Sequence, residues 1–294
     1  MRRITTFLTT AAAAVVLAGA ASAHSPYIAP TTFAPDREFV SVSTAMTEGN
    51  FFVPDFPIRG AGDYVAVSPA GEVVDLGAGV TFKELSVVDV PLPQEGTWRI
   101  GTGERPGRVA KWARIDGQWR MVRPAGQPAP PPRPPEPARK PGAMSDEAPP
   151  RVAPVEAADV PAGTEVIESR SFLKAETYVT RGAPSKGALK PVGKGFELIP
   201  ETHPNEIYAG EAFKFALTQD GRPAPAHYAV ARAGDNYAEK RFSLTGAADA
   251  AGKAAITFDQ PGVYVLEIHY PERGEGAPPL ASSTVYSLTF EVTR

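Results

Sequence analysis

From Pro124 to Pro161 the chain reads PAGQPAPPPRPPEPARKPGAMSDEAPPRVAPVEAADVP, and these 38 residues hold 13 of its 32 prolines. Each proline removes an amide donor and fixes φ, so neither a sheet nor a helix can propagate through the segment. What remains is an extended, polyproline-like linker. Set aside as residues 124–162, it separates an upstream module, 24–123, from a downstream module, 163–294, each of ordinary domain size.

Both modules alternate apolar and polar residues with the period of two that half-buried strands require. Upstream examples are Glu38-Phe39-Val40-Ser41-Val42-Ser43, Asp63-Tyr64-Val65-Ala66-Val67 and Phe82-Lys83-Glu84-Leu85-Ser86-Val87. Asp116-Gly117, between Trp112-Ala113-Arg114-Ile115 and Gln118-Trp119-Arg120-Met121, predicts a tight hairpin because the pair supplies the positive φ values of a two-residue turn. Downstream, strands are predicted at 171–179, 196–199, 213–217, 228–231, 241–244, 254–258, 263–268 and 285–292. No window holds a helical period for three turns. The predicted class is all-β: two Ig-like or transthyretin-like β-sandwich modules joined by the proline-rich linker.

Composition removes several functions. Lys+Arg number 30 against Asp+Glu 33, with 43% hydrophobic residues, which excludes wholesale disorder and an electrostatic nucleic-acid binder. Cysteine is absent, and with it disulfides, thiolate metal sites, iron–sulfur clusters and thiol nucleophiles. The N-terminus runs from Arg2 and Arg3 through an apolar stretch, Ala11 to Ala20, to Ala21-Ser22-Ala23. That is the pattern of a secretory signal peptide over residues 1–23. Its apolar run is shorter than the ~20 residues a membrane span needs. The expectation is a mature chain without a membrane span, in the periplasm or secreted, with no disulfide to support its core.

The downstream module carries recognisable turns and strand ends. Phe196-Glu197-Leu198-Ile199-Pro200, Pro204, Ala209-Gly210-Glu211 and Asp220-Gly221-Arg222-Pro223 are followed by Ala251-Gly252-Lys253-Ala254. Phe258-Asp259-Gln260-Pro261-Gly262-Val263-Tyr264 and the closing strand 286–292 come next. This series resembles the domain-of-unknown-function family 4198, best over about 165–294. Upstream, the likeness rests on His24-Ser25-Pro26-Tyr27 and on Gln94-Glu95-Gly96-Thr97-Trp98-Arg99-Ile100. Members of that family are exported bacterial proteins, many labelled periplasmic components of a nickel or cobalt uptake system. The resemblance therefore implies a role in metal uptake.

The chemistry-bearing inventory is short, because only four histidines exist: His24, His203, His227 and His269. Cleavage after Ala23 would make His24 the first residue, and its amine and imidazole could chelate one metal together. A second histidine would complete a three-nitrogen brace suited to Cu(II). Cleavage after Ala21 would instead put histidine third, where amine, two backbone amides and imidazole form a square-planar set for Cu(II) or Ni(II). His269, at a strand end beside a long loop, and His203, in the loop Thr202-His203-Pro204, are the candidate further ligands, with His227 behind them. No two histidines stand at local metal-motif spacings.

Neither a G-x-S-x-G elbow, a phosphate loop, a dinucleotide fingerprint nor a calcium loop is present. Trp112 and Trp119 flank the hairpin at odd separation, which reads as opposite faces and favours packing over a carbohydrate platform. The expected function is an exported accessory protein, not an enzyme, that binds nickel, cobalt or copper through His24, His269 and His203. Its partners would be the metal ion and an envelope transport protein. The alternative is a structural or ligand-binding β-sandwich protein without metal. A copper oxygenase acting on polysaccharide would need a flat aromatic surface beside the brace.

Overall fold

Alternation in sequence becomes strand in the computed structural model, which describes residues 24–47, 52–58, 64–124, 126, 152–234, 244–274 and 277–294. The expected signal peptide, 1–23, and most of the linker lie outside the described residues. Upstream run β1 (Ser25–Pro30), β2 (Phe39–Thr47), β3 (Tyr64–Val67), β4 (Val73–Gly77) and β5 (Val80–Thr81). They are followed by β6 (Ser86–Pro91), β7 (Gly96–Gly101), β8 (Arg105–Ile115) and β9 (Gln118–Arg123). Downstream of the linker's main part come β10 (Val155–Glu156), β11 (Val166–Arg181), β12 (Phe196–Pro200), β13 (Ala212–Gln219) and β14 (Arg222–Pro223). β15 (His227–Arg232), β16 (Leu244–Ala247), β17 (Lys253–Thr257), β18 (Gly262–Tyr270) and β19 (Ser282–Val292) complete the chain. The only helices among the described residues are two single 3-10 turns, Ala157–Asp159 and Gly187–Leu189.

β11 organises the molecule. It runs 16 residues, well beyond the expected 171–179. One edge pairs antiparallel first with β8, from Val166↔Ala113 to Leu173↔Arg105, and then with β7, from Glu176↔Gly101 to Arg181↔Gly96. Its other edge pairs in parallel with β19, from Arg170↔Ser282 to Thr177↔Thr289. The two halves of the chain are therefore joined through one strand, independently of the linker.

Period-two geometry then sends successive side chains of β11 into different cores. Ala175 and Val179 enter the upstream core with Ile28, Val42, Trp98 and Ile100. Tyr178 enters the downstream core with Phe196, Leu198, Phe215, Tyr286 and Leu288. In the upstream sandwich, the sheet β1-β2-β6-β5 faces the strands around β3 and β7. Downstream, β12, β13, β14 and β17 cover β11, β19, β18 and β15. A third apolar cluster, Tyr27, Ala45, Ala231 and Val265, ties β1 and β2 to the downstream sheet. The Ser287 hydroxyl donates to the Pro26 carbonyl at 2.6 Å in the same seam.

Local rules explain the turns. Asp116 (φ 52°) with Gly117 (φ 77°), and Asp220 (φ 50°) with Gly221 (φ 72°), adopt the left-handed pairs that two-residue hairpins require. The first hairpin corrects the reading of its tryptophans. Its register sets Trp112 opposite Met121 and Trp119 opposite Arg114. With a two-residue loop, positions of odd separation share a face, so both indoles lie on the same side of the ribbon. The Arg273 guanidinium covers the Trp112 ring at 5.2 Å. The downstream end of the linker is paired too: Val155 and Glu156 align in parallel with β9, and Arg123 bonds Glu156 at 2.6 Å.

Candidate functional site

The three histidines expected to share a metal sit in different surroundings. His203 is buried at 8% exposure, fastened on both ring nitrogens. Its Nδ1 accepts from the Asn205 amide at 3.2 Å, while Nε2 stands 3.0 Å from Thr97 Oγ1 and 3.1 Å from the Ser185 carbonyl. Since Nδ1 accepts, the proton is assigned to Nε2, which donates to Ser185. No lone pair is left for a metal in this arrangement. His203 instead belongs to a hydrogen-bonded knot in which Thr97 meets Thr180 at 2.9 Å, Thr180 donates to Asn205 Oδ1, and Asn205 donates to the Tyr178 carbonyl. The loop position suggested a solvent-reaching ligand; the knot makes the ring a clasp between β7, the end of β11 and the 201–206 loop.

His269 lies toward the end of β18, and its Nε2 meets the buried Glu267 carboxylate at 2.6 Å. One step beyond the pair Tyr228↔Ile268, the same register sets His227 opposite His269. His227 has its own carboxylate, Glu272, at 2.7 Å from Nδ1. The His24 ring stands beside Phe56, with centroids 4.7 Å apart. Among the described residues, no three His, Asp or Glu side chains converge as a metal-binding group.

A different constellation does converge. A cleft of about 790 Å³ opens between the upstream strands β3 and β7 and the downstream segments around 192–196, 219–220, 270–271 and 282–284. Its walls are apolar, with Val65, Val67, Phe172, Val192, Phe196 and Tyr270. Its floor is ionic and contains Arg99, Lys174 and Glu176. The floor follows directly from strand geometry. Lys174, Glu176 and Tyr178 alternate onto one face of β11, Arg99 on β7 pairs with Tyr178, and Tyr286 on β19 pairs with Lys174. Gly101 pairs with Glu176, and a Cβ there would lie 3.2 Å from Glu176 Cγ. The missing side chain leaves Glu176 its space.

Glu176 is 6% exposed. Lys174 Nζ lies 3.3 Å from Oε1, Arg99 Nε lies 3.9 Å from the same atom, and the Tyr286 hydroxyl donates to Oε2 at 2.8 Å. Burial disfavours the carboxylate, but Lys174 and Arg99 together with the Tyr286 bond outweigh it, holding Glu176 below its ordinary value of 4.5. Tyr286 and Tyr178 are pushed above the usual phenol value, first by burial and then by the Glu176 charge. Both remain neutral. Lys174 also donates to the Phe196 carbonyl at 3.2 Å.

The lip of the cleft is fastened as well. The buried Glu197 accepts from the amides of Val192 and Gly193 at 2.7 and 2.6 Å, and Asp220 accepts from Gly195 at 2.9 Å. In sequence, Lys174-Ala175-Glu176-Thr177-Tyr178 reads as a strand with a solvated polar face. The available signal was opposite charges two residues apart beside aromatic residues, in a strand long enough to be covered on both sides.

No curated protein matches the chain. Among solved structures, the chain is similar to one described as the D0-D1 domain of Intimin, at 9% identity and a TM-score of 0.20. The alignment covers 90% of this chain and 96% of that one. The family model described as "Domain of unknown function (DUF4198)" matches residues 21–272, and the chain belongs to that family.

Proposed function

We propose that this is a non-catalytic binding protein of the cell envelope that holds a small molecule in the cleft between its two halves. One observation carries the reading: three charged side chains lie nearly out of water at the floor of an open, apolar-walled cleft of about 790 Å³. Buried ion pairs contribute little net stability compared with apolar packing of the same volume, so stability alone does not account for them. A concave site in this size range, with a few converging polar groups among apolar walls, is suited to a small organic ligand. Glu176 is held ionised by its two cations, which makes it a weak proton acceptor and favours binding over acid–base chemistry.

Fragment screening by thermal shift, comparing the protein with Val73→Trp and Val192→Trp, tests the proposal. Both positions line the cleft and are exposed, so the indoles obstruct its mouth without entering a core. Compounds that stabilise the protein but not these variants are expected. Compounds that stabilise all three proteins equally would sink the idea.

The metal reading, in which nickel, cobalt or copper is cargo, keeps one supporting observation. His227 and His269 lie on the paired strands β15 and β18, and each has a carboxylate within 2.7 Å of a ring nitrogen. Copper and nickel titrations of the protein, of His24→Ala and of His269→Ala test it. Loss of affinity in both variants supports the reading, and unchanged affinity in the His24→Ala/His269→Ala double variant removes it.

A further inference from the structure

We infer that the cleft selects an organic carboxylate, whose charged end completes the ionic floor and whose apolar body lies against the walls. This inference rests on the binding reading above and adds the chemical class of the ligand.

Two cations, Arg99 and Lys174, share one carboxylate, Glu176, and both are largely buried, at 6% exposure for Arg99 and 15% for the Lys174 side chain. Tyr178 and Tyr286 stay protonated and contribute no negative charge. The other acids nearby are committed or solvated. Glu197 does not line the cleft and accepts from two backbone amides, Asp220 is exposed and bonded to Gly195, and Glu104 stands exposed at the rim with Lys194. Water screens the rim charges far more than it screens the floor. The floor itself therefore carries one more positive than negative charge, which favours an incoming anion.

Geometry specifies the kind of anion. Arg99 meets Glu176 only through Nε at 3.9 Å, too long for a hydrogen bond, so Glu176 does not engage the planar fork of the guanidinium in two parallel bonds. A planar carboxylate fits that fork better than a spherical ion does. The volume and the apolar walls, including Phe172, Phe196 and Tyr270, exceed what an inorganic anion would use and favour an amphiphilic body.

A matched series tests the inference: decanoate, decanol and decylammonium, each below its micellar concentration, titrated calorimetrically into the protein. Decanoate is expected to bind at least tenfold more tightly than decanol, with decylammonium weakest. Lys174→Met and Arg99→Met, checked for folding by circular dichroism, should each narrow the gap. Glu176→Gln should tighten decanoate binding by removing the competing anion, an effect that a merely structural role for Glu176 would not produce. Decanol binding as tightly as decanoate, or Glu176→Gln leaving decanoate unchanged, would overturn the inference while leaving an apolar binding cleft. Failure of all three probes to bind would remove the binding reading itself.

Discussion

Lys174 and Glu176 stand two residues apart on β11, with Nζ 3.3 Å from Oε1, and both side chains line the cleft. Along most strands such a pair would sit in water and contribute about 0–1 kcal/mol. Here burial makes the consequences of breaking it much larger.

Replacing Glu176 by Ala leaves Arg99 and Lys174 facing each other without an anion. The expected loss is about 3–5 kcal/mol, the range for removing one partner of a buried pair. Lys174→Met should cost less, because Arg99 and the Tyr286 hydroxyl still hold the carboxylate. The two changes combined should cost less than their sum, since they share one network. Urea midpoints at constant slope give all three values.

The Glu176 carboxyl is held below its unfolded value, so its contribution is full above about pH 4.5 and is lost as pH falls through the depressed folded-state value. Stability of the native protein should therefore decline on acidification in that window. Glu176→Gln should have a flatter acid limb, read as urea midpoints between pH 3 and 7. Parallel limbs would contradict the assignment.

At high pH the sign reverses. Tyr178 and Tyr286 are raised above 10 and Tyr27 to about 12. Unfolded tyrosines ionise first, so stability present below pH 10 is lost as pH rises. Absorbance at the tyrosinate band follows this ionisation directly. A late group, coincident with loss of the circular dichroism signal, should vanish in part in Tyr286→Phe.

His203→Ala removes the acceptor for the Asn205 amide and the donor to Ser185. Leaving such buried groups unpaired costs about 1–3 kcal/mol each. The melting temperature should fall while copper and nickel affinity stays unchanged. A large loss of affinity in a still-folded variant would restore His203 as a ligand.

Residues 24–123 produced alone should not fold. They lack β11, so β7 loses a partner strand and the upstream core loses Ala175 and Val179. Adding residues 163–181 by a flexible linker should recover dispersed amide signals in the proton–nitrogen spectrum. A well-dispersed spectrum from 24–123 by itself would show that β11 is dispensable.

Local chemistry was legible where neighbours decide the outcome. The stretch 213–217 lies inside β13, 285–292 inside β19, and Asp116-Gly117 forms the turn its residue types demand. β8 was less visible, because Pro106 and Gly107 near its start read as breakers although the strand continues through them. What no spacing could reveal is pairing across the chain. His203 meets Thr97 across 106 residues and His227 meets Glu272 across 45. The floor of the cleft needs β7, β11 and β19 side by side before its charges have any meaning.

The parallel seam between β11 and β19 also sets the order of assembly. Thr177 donates to the Thr289 carbonyl across 112 residues, and both cores draw side chains from β11. Closing such distant pairs costs chain entropy before any burial rewards it, which slows folding. The central seam cannot close until residues 282–292 are available. A chain released segment by segment would thus stay open, and susceptible to proteases, until its last strand arrives.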